Sequence, residues 1–255
     1  MKVVIYSAVV GGYDDIVQPS VINSAFDYIL FSNDIAHENV GVWKIRHIDY
    51  QNSDLTRVAR YVKTHPHILL SDYEYSIWID SNIIFKEEFV YTRFEQLISN
   101  ETLIAGIPHP DMDCIYDECL WIKTCFKDTL HNMLPELKYL KSQSYPLNNG
   151  LCETNILFRM HLNPQIINLC NDWWYMIETF SKRDQLSFNY VLWKNSLEFV
   201  PIFPFISDTA KSPYYAKKAH NSKRGKFYQI WRQDILPLIQ KPLFGIWHFY
   251  IKHIL

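Results

Sequence analysis

Tyr75-Ser76-Ile77-Trp78-Ile79-Asp80-Ser81-Asn82 is an apolar run that stops at a carboxylate. Aromatic and β-branched residues fill 75–79, and Ser71-Asp72 supplies a break before them, so the stretch predicts a buried central strand ending at Asp80. An Asp and an Asn after a strand serve as turn residues as readily as ligands. They can also place two oxygens on a divalent cation, Mn²⁺ or Mg²⁺, that bridges a diphosphate. Trp78 directly before Ile79-Asp80 puts that carboxylate in a partly desolvated setting, where it needs a metal or a cationic partner.

On the N-terminal side, Leu55, Val58, Ala59 and Val62 recur at helical spacing after an Asn-Ser-Asp capping cluster, predicting a helix over 53–65 with one buried face. Pro66 limits its continuation. His65 and His67, flanking that proline, read as capping or surface groups. Val3 to Val10, Asp27 to Phe31 and Val42 to Ile48 read as three earlier strands, the first closed by Gly11-Gly12. On the C-terminal side the spacing predicts a helix over 89–98, a strand over 103–107 and one or two helices over 114–140. A strand over 154–159 and helices over 164–180 and 185–193 follow. Continuous apolar strands alternating with helices indicate an α/β layer architecture, whose ligands gather outside the carboxyl ends of the strands.

The 255 residues are 48% hydrophobic and 16% aromatic, with a formal net charge of -2, so a single folded domain with one large core is expected. Near-neutral charge excludes a general drive toward nucleic acid, and phosphate recognition has to come from locally placed Lys and Arg. Cys114, Cys119, Cys125, Cys152 and Cys170 form no Cys-x-x-Cys pair, which points to a reducing, cytoplasmic setting. The first residues read as a buried strand rather than a signal segment. From Pro242 to Leu255 aromatic and aliphatic residues mix with Lys241, Lys252 and His253. Such a tail either packs back on the domain or lies at a membrane surface, peripheral to its inner face.

Arg57, Arg60 and Lys63 recur every third residue on the 53–65 helix, away from its apolar face, and are either a solvated helix surface or candidate contacts for a nucleotide diphosphate. The Gly11-Gly12-Tyr13-Asp14 loop is either a tight turn or a nucleotide contact, with Tyr13 on a base and Asp14 on a ribose hydroxyl. Glu153, just before a strand, is a candidate general base or a structural carboxylate. Asp184 and Gln185 open a helix, where Asp184 could equally be an N-cap. His109, between two prolines, is a candidate acceptor contact. His220 is a candidate third metal ligand after Asp80 and Asn82, and Lys223, within a basic stretch, a candidate donor contact in a lid.

Arg57-x-x-Arg60-x-x-Lys63, Pro66-His67, Tyr75 to Asp80, Glu153-Thr154-Asn155 and Arg183-Asp184-Gln185-Leu186-Ser187-Phe188 occur in one order. The set resembles the glycosyltransferase-like domain of the plant turgor-regulation-defect and mucilage-related proteins, from about Tyr6 to Trp193. The resemblance implies a GT-A-like, Rossmann-type central mixed sheet flanked by helices over 1–205; it does not cover 206–255, which read from their own composition as a basic and aromatic helical extension that packs on the domain or a membrane surface. It also implies a nucleoside diphosphate sugar donor and a divalent cation. More distantly, the order is similar to that of the retaining galactosyltransferase and glycogenin group. That similarity implies Asp80 as metal or ribose contact, Arg57 as donor contact, and Asp184 and Gln185 beside the reacting carbon. Asn82 departs from the second Asp of an Asp-x-Asp signature.

The expected function is transfer of a sugar to a glycan, lipid-linked or other hydroxyl acceptor, in surface-polysaccharide assembly. With inversion Glu153 is the base; with retention Asp184 or Gln185 lines the donor face. The alternative is a protein of the same fold that binds carbohydrate, or acts as a scaffold, without turnover.

Overall fold

The computed structural model describes residues 2–204, 211–219 and 226–254. Eight strands form one mixed sheet in the order β3-β4-β2-β1-β5-β8-β7-β9. They are β1 (Val3–Ala8), β2 (Asp27–Phe31), β3 (Asn39–Val40), β4 (Trp43–Arg46), β5 (Tyr75–Ile79), β7 (Ile104–Pro108), β8 (Cys152–Arg159) and β9 (Val200–Pro201). The remaining two, β6 (Ile83–Phe85) and β10 (Tyr215–Lys217), pair antiparallel with each other. Strand β5 lies parallel to β1 and antiparallel to β8, so the carboxyl ends of β1 and β5 meet the amino end of β8 at one edge.

All five residues of β5 are buried, as a strand covered on both faces requires. Successive side chains go to opposite layers. Tyr6 and Trp78 join one cluster with α1 (Leu55–Thr64), α6 (Pro164–Thr179) and α7 (Gln185–Lys194), whereas Ile5 and Ile77 join another with α3 (Phe89–Ser99). The short helix α2 (Pro66–Leu69) follows α1. Helices α4 (Ile115–Thr124) and α5 (Leu130–Ser142) resolve the long amphipathic stretch into two. The tail folds as α8 (Lys226–Ile230), a π-helical turn over Trp231–Ile235, and α9 (Leu236–His253).

Helix α1 starts at Asp54, whose carboxylate accepts from the Thr56 amide at 3.0 Å, and its Val58 and Val62 are buried. His65 caps α1, its amide donating to the Tyr61 carbonyl, but it is not a surface group. Its ring stacks on Tyr61, lies edge-on to Trp174, and is 7% exposed, because the apolar side of α1 continues through Tyr61 to that position. The five cysteines are all buried, and none forms a disulfide among the described residues.

Candidate functional site

The strand ends carry an ion-pair hub built from three distant segments. Each Cα–Cβ bond of a helix tilts toward its N-terminus, so Lys63, late in α1, sends its long chain back toward the strand ends. Its ammonium is wholly buried and lies 2.5 Å from Asp184 Oδ2 and 3.6 Å from Asp80 Oδ1. One turn earlier, Arg60 Nε lies 3.0 Å from Asp184 Oδ1 and Arg60 Nη1 lies 3.9 Å from Asp80 Oδ1. Thr154 of β8 donates its hydroxyl to Asp184 Oδ2 at 2.8 Å. The indole N–H of Trp78 donates to Asp80 Oδ1 at 2.8 Å, and the Lys63 ammonium lies over the rings of Trp78 and Trp173.

Burial works to raise the Asp184 carboxyl, but Arg60 and Lys63, with Arg183 behind them, outweigh it and hold the group well below the carboxylate range. Burial likewise lowers the Lys63 ammonium against the pull of Asp184 and Asp80. Asp184 precedes α7 without capping it through its side chain. The indole N–H of Trp173 donates instead to the Asp184 carbonyl at 2.9 Å, fixing the residue that anchors the hub. Gln185 beside it is half-buried.

Above the hub opens a cleft of about 390 Å³, lined by Tyr13, Asp14, Arg60, Trp78, Asp80 and Ser81 on the sheet side. Phe126, Lys127, Lys182 and Arg183 line it on the other. Tyr13 is half exposed, whereas Asp14 is nearly buried and accepts from the Ser81 hydroxyl, tying the first loop to the Asp80 turn. Gly11 lets that loop come close: its φ is +67°, and a Cβ there would lie 2.3 Å from Leu55 Cδ1. Arg183 Nε is buried with no hydrogen-bond partner among the described residues, an unmet donor at the cleft wall.

Arg57 goes elsewhere. Its guanidinium donates to the carbonyls of Ile177 and Phe180 and pairs with Asp54, so it braces α1 to the end of α6 rather than lining the cleft. Glu153 lies at the same strand-end edge, where Lys217 of β10 reaches both its oxygens at 3.0 and 2.8 Å and Asn155 Nδ2 donates to it at 2.9 Å. His109 Nδ1 accepts from the amides of Asp111 and Met112 and so organises its turn. Burial lowers its imidazole, with Glu153 and Asp111 pulling the other way. The Asn82 amide donates to the Lys218 carbonyl at 2.9 Å, fastening the turn to β10. His220 and Lys223 lie outside the described residues.

Among the described residues no three His, Cys, Asp or Glu side chains gather as a metal cage. The Asp80 carboxylate and the Asn82 amide carbonyl are the two oxygens the Asp80 turn offers a cation, the Asp14 carboxylate lies beside them on the cleft wall, and Asp80 also faces Lys63 and Arg60.

Lys127 and Lys217 belong to the site without a sequence signal of their own, whereas Thr154 stands within Glu153-Thr154-Asn155 and Lys182 beside Arg183-Asp184.

A family model described as the TOD1/MUCI70 glycosyltransferase-like domain matches residues 1–205. No curated protein matches. Among solved structures, the chain is similar to the apo structure of the bifunctional glycosyltransferase WbbM, at 11% identity and a TM-score of 0.38. The similarity covers 80% of this chain and 38% of that one.

Proposed function

Because the chain belongs to the TOD1/MUCI70 glycosyltransferase-like family, we propose that it transfers a sugar from a nucleoside diphosphate sugar to a hydroxyl acceptor. The observation that carries this reading is the cleft over Asp80, which four basic residues, Arg60, Lys127, Lys182 and Arg183, help to line. A diphosphate is the ligand such a set would hold. Tyr13, half exposed on the cleft wall, is placed to stack on the base, and Asp14 to accept from a ribose hydroxyl.

In the reaction an acceptor oxygen bonds to the anomeric carbon, the bond from that carbon to the diphosphate oxygen breaks, and the electron pair leaves with the diphosphate. Arg60, Lys127, Lys182 and Arg183 stabilise the charge that develops there. With inversion Glu153 takes the acceptor proton; with retention the departing diphosphate oxygen takes it, and Asp184 or Gln185 lines the donor face. A divalent cation, held by Asp80 and Asn82 with His220, would add charge neutralisation on the diphosphate. The acceptor is a glycan or lipid-linked compound, with His109 beside it, and the setting is cytoplasmic surface-polysaccharide assembly at a membrane's inner face. No helix among the described residues is long and apolar enough to cross a membrane.

The test is release of nucleoside diphosphate from a panel of nucleotide sugars by the full chain, with Mn²⁺, with Mg²⁺ and with EDTA, beside thermal shift with each donor. Donor hydrolysis that Arg60→Gln abolishes supports the transferase. Glycan binding with no response to any nucleotide supports instead a carbohydrate-binding protein of the same fold.

A further inference from the structure

The helical tail has two apolar faces, and the domain covers one of them. Leu236, Trp247 and Ile251 are buried against the body of the protein. The indole N–H groups of Trp247 and Trp231 donate to the carbonyls of Tyr116 and Thr124, and Lys141 donates to the Ile251 carbonyl. His248 Nε2 lies 2.7 Å from Asp117 Oδ1. These contacts fix which side of α9 looks out. On that outer side Ile235, Leu238, Ile246 and Phe249 fall along one helical row, with Leu238 79%, Ile246 69% and Phe249 61% exposed.

The charge beside this row is mostly positive. Arg232, Lys241 and Lys252 are exposed, and Asp234 is the one acid in the tail. Neither Lys241 nor Lys252 pairs with a carboxylate among the described residues, although the chain as a whole has a net charge of -2. An exposed apolar row flanked by lysines matches the surface of an anionic bilayer, apolar below its headgroups and negative at them. A second copy of this chain, acidic overall, offers no such pairing of layers. With no membrane-spanning window in the helix, the matching geometry is a segment lying in the interface plane.

The row also leads to the cleft. Phe126 lines the cleft wall, is 56% exposed and sits in the left-handed region at φ +52°. Its ring rests 5.8 Å from that of Trp231 and 6.3 Å from that of Tyr228, at the start of the tail. The segment that leads directly into the lipid-facing helix therefore supports the rim of the cleft.

We infer that the segment over 226–254 docks on an anionic lipid surface through Leu238, Ile246, Phe249, Lys241 and Lys252, and sets the cleft rim at Phe126 beside that surface. Its consequence for the substrate, a lipid-linked acceptor that reaches the cleft without leaving the bilayer, rests on the transferase reading. The docking itself does not.

Sedimentation of the full chain with phosphatidylcholine vesicles, with and without about a third phosphatidylglycerol, tests it. The expected result is binding to the anionic vesicles alone that falls as salt is raised. Leu238→Glu with Ile246→Glu and Phe249→Glu should lower it by about tenfold or more, and Lys241→Glu with Lys252→Glu should do so without touching the apolar row. Soluble donor hydrolysis should be unchanged in both variants. Equal binding to neutral vesicles, no binding by the parent chain, or retained binding by both variants overturns the inference. So does parent self-association that the apolar variant abolishes while vesicle binding persists. Vesicle binding without any donor hydrolysis leaves the docking intact and removes the transferase reading.

Discussion

Lys63 and Asp184, 121 positions apart in the chain, meet at 2.5 Å with Lys63 wholly buried and Asp184 2% exposed. Removing one partner strands the other charge in a dry site, which costs about 3–5 kcal/mol in comparable pairs. Asp184→Asn should therefore lower the urea midpoint strongly, and Lys63→Met with Asp184→Asn should lose less than the two single losses added. Arg60 and Lys63 hold the Asp184 carboxyl below its unfolded value, so its stabilisation is present above pH about 3.8 and is lost as pH falls further. An Asp184→Asn loss that is the same at pH 7 and at pH 3 would contradict this.

Arg60 belongs both to that hub and to the cleft wall, whereas Lys182 is peripheral to the hub and paired with Asp54 at 3.0 Å. Arg60→Gln should abolish donor hydrolysis, a drop of about 100-fold or more. Lys182→Ala should raise the donor KM by about tenfold with kcat kept, since it removes one cation from diphosphate binding. Steady-state kinetics with soluble donor separates the two. A KM unchanged in Lys182→Ala would remove that side chain from the phosphate site.

The division between Arg57 and its neighbours shows what a single sequence carries. Their three-residue spacing puts Arg57, Arg60 and Lys63 near one side of a helix, and the strand ending at Asp80 identifies the sheet edge they serve. Spacing cannot say where α6 ends, and it is the carbonyls of Ile177 and Phe180 that take Arg57 away from the cleft. The main strands and helices were legible because each rests on local periodicity or a cap, as with Asp54 before α1. Strands β6 and β10 were not, since their pairing joins Phe85 to Tyr215 and neither has a period of its own. Lys217 reaches Glu153 only through that long-range pairing, so nothing near 217 in sequence announces it.

A second polar cluster at the opposite end of the sheet predicts acid sensitivity. His161 is wholly buried, its Nε2 lies 3.0 Å from the Leu70 carbonyl, and its Nδ1 has no partner among the described residues. Burial, with Arg159 and His67 nearby, lowers its imidazole to about 4. Burial also lowers His67 to about 4, with His65 and Arg159 adding to it. Both groups fold neutral, so the stability they allow is complete above pH 6.5 and is lost as pH falls toward 4. The His161 contribution is on the order of 2–3 kcal/mol. Urea midpoints between pH 7.5 and 4.5 should fall, and His161→Gln should flatten part of the slope. A parent slope of zero in that window rules the cluster out as its cause.

Gly11 links stability of the first loop to donor binding. At φ +67° an alanine is strained by backbone alone, and its Cβ would meet Leu55 Cδ1 at 2.3 Å. The loop that has to yield carries Tyr13 and Asp14, and Asp14 is tied to Ser81 beside Asp80. Gly11→Ala should raise the donor KM by about tenfold while leaving kcat within about twofold, because the cations over the diphosphate stay in place. Leu55→Ala in the same chain removes the collision but not the φ strain, so it should recover part of the loss. Recovery in full would assign the effect to the Leu55 contact alone. Equal loss of kcat would show that the loop positions the reacting carbon as well as the nucleotide.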